Sequence, residues 1–325
     1  MEILKVNNLR TYFNTTHGLI KAVDGVSFNL RRGETLGIVG ESGAGKSVTA
    51  LSVMGLAARL GAGVTDGEVW YAGKNLLENP TLYDSVRGRR ISLIPQEAGS
   101  ALNPVLTVGK QVEEMLRVHL SLTSREARSV ISRLLESVEL PDPGLTARLY
   151  PHQLSGGALQ RVLLALALCC EPDIIIADEP ASSLDVTLQA QVLMLIRNTK
   201  ARQGLSMVLI AHDLGVISQN SDRVLVMYGG RVLEAGPTPK VLGGPLHPYT
   251  MALLEIYRVM DQGMGEVSLT RAYPPNLYGN NRGCVFADRC QKAADLCWAE
   301  RPEPQPVGED RVVACHLVET ESSHE

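Results

Sequence analysis

The sequence predicts an α/β fold in which helices cover a largely parallel sheet, followed by a small irregular appendage. Two short apolar runs, Ile174-Ile175-Ile176-Ala177 and Met207-Val208-Leu209-Ile210, each end in polar residues, as strands buried on both faces do. Between them Asp185 to Arg197 reads as a helix, and strands alternating with helices give parallel sheets that hold ligands at their carboxyl ends. From Pro237 onward Pro and Gly become frequent, the strand pattern stops, and four of the six cysteines follow. A length of 325 residues fits two domains, or one domain with a large appendage.

Taken in order, residues 2 to 6, 19 to 30 and 35 to 39 are β-rich, with Arg31-Arg32-Gly33-Glu34 as a turn. The strand 35 to 39 (TLGIV) runs into a glycine-rich loop, and Ser47 to Leu60 then carries apolar residues at helical spacing. A further helix begins at Thr123, where Thr123 and Glu126 have capping-box spacing. Ala127, Val130, Ile131, Leu134, Leu135 and Val138 form its apolar stripe, with Pro141 and Pro143 as the stop. Val224 to Met227, Gly229-Gly230 and Arg231 to Ala235 read as a hairpin. The boundary falls near 240 to 246, giving domains 1–245 and 246–325, and the polar tail after Val318 is expected to fray.

Composition narrows the function classes. Hydrophobic residues are 45% and charged residues 20%, a globular balance. A net charge of −4 gives no footprint for nucleic acid or for a polybasic membrane surface, so no nucleic-acid partner is expected. The longest apolar run, Val162 to Cys170, is far below the roughly 20 residues of a spanning helix. The opening MEILKVNNLR lacks a signal-peptide layout, so the cytoplasm is expected, where thiols stay reduced. Cys284, Cys290, Cys297 and Cys315 then read as metal ligands before disulfides, whereas Cys169 and Cys170 sit in an apolar helix as core residues.

Gly40-Glu41-Ser42-Gly43-Ala44-Gly45-Lys46-Ser47 fits the P-loop pattern GxxxxGK[ST]. Glycines let the backbone N–H groups converge on one centre, and the following helix adds its positive N-terminal end, which together hold a polyphosphate. Lys46 is expected to reach the β- and γ-phosphates and Ser47 to ligate Mg²⁺. Asp178 and Glu179 end the apolar strand 174–177; Asp178 is expected on Mg²⁺ and Glu179 on the attacking water.

Leu154-Ser155-Gly156-Gly157-Ala158-Leu159-Gln160-Arg161 resembles the signature of ATP-binding cassette (ABC) ATPases. Gln96 resembles that family's Q-loop glutamine, Ser182-Ser183-Leu184-Asp185 its D-loop, and His212 its switch histidine. The resemblance implies a P-loop nucleotide-binding domain with a mixed sheet core, an antiparallel β subdomain and a helical subdomain over about 98–170. It implies that Ser155, Gly156 and Gly157 contact the γ-phosphate of ATP bound on a partner cassette, so that the chain works in pairs. It also implies that Gln96 contacts Mg²⁺ and water, that His212 holds Glu179 and the water in line, and that an early aromatic stacks on adenine. Phe13 is assigned that stack, with Tyr12 on the opposite strand face as the alternative.

Gly244-Pro245-Leu246-His247-Pro248-Tyr249-Thr250, the spacing of the four late cysteines, SALNP at 100–104 and YPHQLSGG at 150–157 resemble ATPase subunits of dipeptide and oligopeptide importers. This implies ATP and Mg²⁺ as cofactors and a [4Fe-4S] cluster on Cys284, Cys290, Cys297 and Cys315, with zinc as the rival ligand. Gaps longer than zinc's usual two to four residues favour the cluster. Implied partners are a second, related ATPase subunit, two transmembrane permeases and an extracytoplasmic solute-binding protein, with the chain peripheral on the cytoplasmic face of the cell membrane. Importers of metal chelates or other solutes, and a soluble non-transport ABC ATPase, stay open as alternatives. Gln291, Ala98, Ala158 and Leu159 depart from the family pattern without touching the expected ligands.

Overall fold

Two long strands open the chain, β1 (Glu2–Thr15) and β2 (Gly18–Arg31), paired antiparallel. Their apolar residues Leu4, Val6, Leu9, Val23, Val26 and Leu30 are buried. Further strands are β3 (Thr35–Val39), β4 (Ala62–Tyr71), β5 (Lys74–Asn75), β6 (Ile91–Ile94), β7 (Ile174–Asp178) and β8 (Ser206–Ala211). The last are β9 (Arg223–Tyr228), β10 (Arg231–Pro237), β11 (Gln305–Val307) and β12 (Arg311–Val313). This computed structural model describes residues 1–262 and 282–318. It divides into one unit of Met1–Arg31, Thr35–Pro80 and Leu209 onward, and a second of Arg32–Glu34 and Thr81–Val208.

In the first unit an antiparallel sheet has the order β2-β1-β4-β5. A second, mixed array runs β11-β12-β10-β9-β3. There β3 lies parallel to β9, while β9 and β10 form the expected hairpin across Gly229-Gly230. Every residue of β3 is buried, which matches its unbroken apolar run. The C-terminal extension contributes helix Pro248–Gln262, a 3-10 turn at Ala287–Arg289, a short helix Asp295–Ala299 and the strands β11 and β12, of which β12 pairs with β10. The fraying expected after Val318 lies outside the described residues.

In the second unit β6 and β7 are parallel neighbours, and β7 is buried along its length. The largest helices are Val108–Leu120, Ser124–Ser137, Gly156–Leu168 and Val186–Gln203. Thr123 caps its helix as expected: its N–H donates to Glu126 Oε2 at 2.9 Å and its hydroxyl accepts from the Glu126 N–H at 3.4 Å. Ala127, Ile131, Leu135 and Val138 from the predicted stripe are buried.

Two helical expectations are corrected. The helix expected over Ser47–Leu60 is Lys46–Val53 followed by a 3-10 turn at Ala57–Leu60. Gly55 turns left-handed at φ 64°, its N–H donates to Ser52 O, and Leu56 N–H donates to Leu51 O, which closes the helix. Helix Ser124–Ser137 ends before Pro141, and Pro143 instead opens a short helix capped by Asp142.

Candidate nucleotide-binding site

Strand β3 delivers the chain into residues 40–47, and helix Lys46–Val53 leaves from the other side. Tight backbone approaches dictate glycine here. A Cβ on Gly40 would stand 2.1 Å from the Met227 carbonyl oxygen, and one on Gly45, at φ 98°, 2.2 Å from that of Ala22. The buried Lys46 ammonium donates to the carbonyls of Gly40 at 2.8 Å and Glu41 at 3.1 Å, which holds its charge at the loop's centre beside the helix N-terminus. Ser47 is half-buried on the first turn of that helix. Backbone N–H groups, a cation and a hydroxyl converging there can hold a phosphate chain.

On β1, Tyr12 and Phe13 are both half-buried. Tyr12 is engaged elsewhere: its hydroxyl donates to Asp24 at 2.7 Å, and Lys21 stands over its ring. Burial and that bond push the hydroxyl up to about 12, so it stays a donor. Phe13 carries no polar tether.

At the end of β7 Asp178 is buried, and Glu179 follows with φ 47°. A glutamate in left-handed conformation costs about 1–2 kcal/mol, a strain found chiefly at functional positions. Gln96, just beyond β6, donates from Nε2 to Glu179 Oε2 at 3.2 Å, so the parallel pairing of β6 with β7 brings these two predicted residues together. In the same unit Ser155 caps helix Gly156–Leu168, its hydroxyl accepting from Ala158 N–H at 3.3 Å. Ser155 and Gly156 are exposed and Gly157 is buried. Asp185 caps helix Val186–Gln203 by accepting from the N–H groups of Thr187 and Leu188 at 3.1 and 3.0 Å. In the first unit His212 is exposed directly after β8, and Asp213 caps the next helix through the Gly215 N–H.

The four late cysteines line one small cavity together with His247 and Phe286. Burial pushes the Cys284 thiol up to about 11 and raises that of Cys315. His247 Nδ1 accepts from the Tyr249 N–H at 2.9 Å, and burial lowers its pKa to about 4. Among the described residues no group of three or more His, Cys, Asp or Glu is arranged to hold a single metal ion. Cys169 and Cys170 are buried in the core, as expected.

Sequence reasoning missed the contacts by which the extension reaches the loop. Arg289 donates to both Glu41 carboxylate oxygens, and the Tyr249 hydroxyl accepts from the Glu41 N–H. It also missed Glu234, fully buried on β10, which accepts from the N–H groups of Leu246 and His247 and from Arg311. The GPLHPYT stretch marked this neighbourhood, but pairings across such separations leave no local signal.

Strand-loop-helix cradle, carboxylates closing a buried parallel strand and a serine-capped glycine helix define a P-loop ATPase of the ABC class. Residues 23–182 match the ABC transporter family, and residues 233–297 match the oligopeptide/dipeptide transporter C-terminal region. The oligopeptide transport ATP-binding protein AppD of Bacillus subtilis is 43% identical, the alignment covering 99% of each chain. The dipeptide transport ATP-binding protein DppD of the same organism is also 43% identical, over 99% of this chain and 97% of its own length. A solved dimeric bacterial ABC transporter cassette superposes with a TM-score of 0.63 at 27% identity, covering 73% of this chain and 99% of the cassette. The same cassette, with the same scores, has been solved in a post-hydrolysis state bound to ADP and phosphate. The chain belongs to the ATP-binding proteins of the oligopeptide/dipeptide branch of ABC transporters. It is an ATPase, and no described helix is long and apolar enough to cross a membrane.

Proposed function

We propose that this chain hydrolyses ATP at the cytoplasmic face of the cell membrane to drive import of dipeptides or oligopeptides through separate permease subunits. The Gln96–Glu179 contact at the ends of neighbouring parallel strands carries the reading, in a chain similar over its whole length to peptide-transport ATP-binding proteins. Gly40 to Ser47 bind the triphosphate, with Lys46 neutralising its charge as it develops on the transferred group. Phe13 stacks on the base, favoured because Tyr12 is tied to Asp24. Mg²⁺, where bound, supplies charge neutralisation, and Ser47, Gln96 and Asp178 are the residues to hold it. Glu179 accepts the proton of the attacking water, Gln96 orients that water, and His212 steadies the γ-phosphate.

Pairing follows from the signature. Ser155 and Gly156 stand exposed at a helix N-terminus, a ready anion site, and they serve the nucleotide of a second, related ATPase subunit. Val186, 83% exposed directly after Asp185, is an apolar residue suited to burial in that pairing. Two permeases and an extracytoplasmic solute-binding protein complete the assembly.

The cysteine cavity suits a [4Fe-4S] cluster held by Cys284, Cys290, Cys297 and Cys315. Its lining supplies four thiols and no carboxylate, together with the buried His247. The sequence gaps between these cysteines exceed those usual in zinc sites, which favours the cluster over zinc. Such a cluster, if bound, would supply structural cross-linking and electron-transfer capacity.

Glu179→Gln is the test. ATP binding by calorimetry stays within about threefold of wild type, while hydrolysis falls at least about 100-fold as expected for a lost general base. Undiminished turnover overturns the assignment of Glu179.

A further inference from the structure

We propose that Arg289, in the C-terminal extension, is a positioning residue of the phosphate loop that neutralises Glu41 and so keeps the loop receptive to a polyphosphate. The proposal rests on the reading that residues 40–47 bind ATP. Glu41 places a carboxylate inside a loop whose other features attract anions. Left alone, that charge repels the triphosphate in a loop whose Lys46 ammonium lies within hydrogen-bond distance of the Glu41 backbone carbonyl.

Arg289 meets the carboxylate with both arms of its guanidinium, Nη1 to Oε2 at 2.7 Å and Nη2 to Oε1 at 2.9 Å. The guanidinium also lies over Tyr228 and Phe286, 5.6 and 5.7 Å from the ring centroids, and its side chain is only 12% exposed. Tyr228, Phe286 and Tyr249 pack on one another with centroids 4.7 to 5.4 Å apart, which fixes the guanidinium plane. Tyr249 then accepts the Glu41 N–H at 3.0 Å, so side chain and backbone of one loop residue are both held by the extension. Two parallel bonds plus stacking are a task for arginine, since lysine offers a point charge without the fork. Partial burial keeps the interaction from being screened as a surface pair is.

The 3-10 turn Ala287–Arg289 leads directly into Cys290. The residue that compensates the loop is therefore the immediate neighbour of a thiol lining the cysteine cavity.

Calorimetric ATP affinity of the full chain tests this, with Arg289→Met keeping bulk beside the rings, Arg289→Lys keeping charge, Glu41→Gln, and Arg289→Met/Glu41→Gln. A carboxylate released about 8 Å from one unit of phosphate charge at an effective dielectric near 40 weakens binding about sixfold, so Arg289→Met binds at least about sixfold more weakly. Arg289→Lys recovers part of the loss, and Arg289→Met/Glu41→Gln binds several-fold more tightly than Arg289→Met because no charge then needs compensating. In steady state the loss falls on KM more than on kcat. A double variant as weak as Arg289→Met, or an Arg289→Met that binds as wild type, overturns the proposal. If Arg289→Met does not fold, Arg289→Lys and the double variant decide. Failure of the wild-type chain to bind ATP at all instead refutes the nucleotide reading, which separates the two.

Discussion

Replacing Glu234 by glutamine removes the charge that ties the C-terminal extension to β10. Glu234 is 0% exposed and Arg311, its partner, 12%. One carboxylate satisfies the N–H groups of Leu246 and His247, each at 3.0 Å, and the Arg311 guanidinium. Glutamine keeps the shape but turns an NH₂ toward donors and leaves Arg311 without its counter-charge, although the neutral Gly244 carbonyl still accepts from it. Breaking a buried ion pair by removing one partner costs about 3–5 kcal/mol. With a denaturant slope of about 3 kcal/mol per molar urea, the midpoint falls by roughly 1 M or more. The chain has two tryptophans, so in a Trp70→Phe background Trp298 fluorescence reports the extension itself. Adding Arg311→Met to Glu234→Gln removes the orphaned cation and restores part of the loss. A midpoint shift below about 0.3 M, or no recovery in the double variant, refutes the reasoning.

Lys46→Ala weakens ATP binding at least about tenfold by deleting the cation at the loop's centre, and an unchanged calorimetric affinity counts against the loop assignment. Asp185→Ala loses two capping bonds and about 1 kcal/mol, seen as faster amide exchange over Val186 to Gln189, whereas unaltered exchange contradicts its capping role. Anaerobic purification yields about four iron and four sulfide per chain, and Cys284→Ser lowers both. One zinc per chain and no iron would reverse that assignment.

Those parts of the site that depend on local signals were legible in the sequence. The phosphate loop follows from glycine spacing after an apolar strand, and the buried strands 174–178 and 206–211 announce themselves by unbroken hydrophobicity. The Thr123 cap is equally local. What escaped depends on distant partners. Strand β4 carries glycines and charges and pairs through β1, while helix Val108–Leu120 buries only Val108, Val112 and Leu116 in an otherwise polar segment. Tyr12 and Phe13 are equivalent by strand alternation, and only the Asp24 bond separates them. Arg289 and Glu41 lie at opposite ends of the chain, so nothing in either neighbourhood names the other.

ATP turnover per chain, measured over a hundredfold dilution with the proposed second ATPase subunit held equimolar, asks whether hydrolysis needs a signature from a partner. A composite site predicts that turnover per chain collapses as the pair dissociates. Turnover that stays constant into the dilution range where only single chains remain would contradict it.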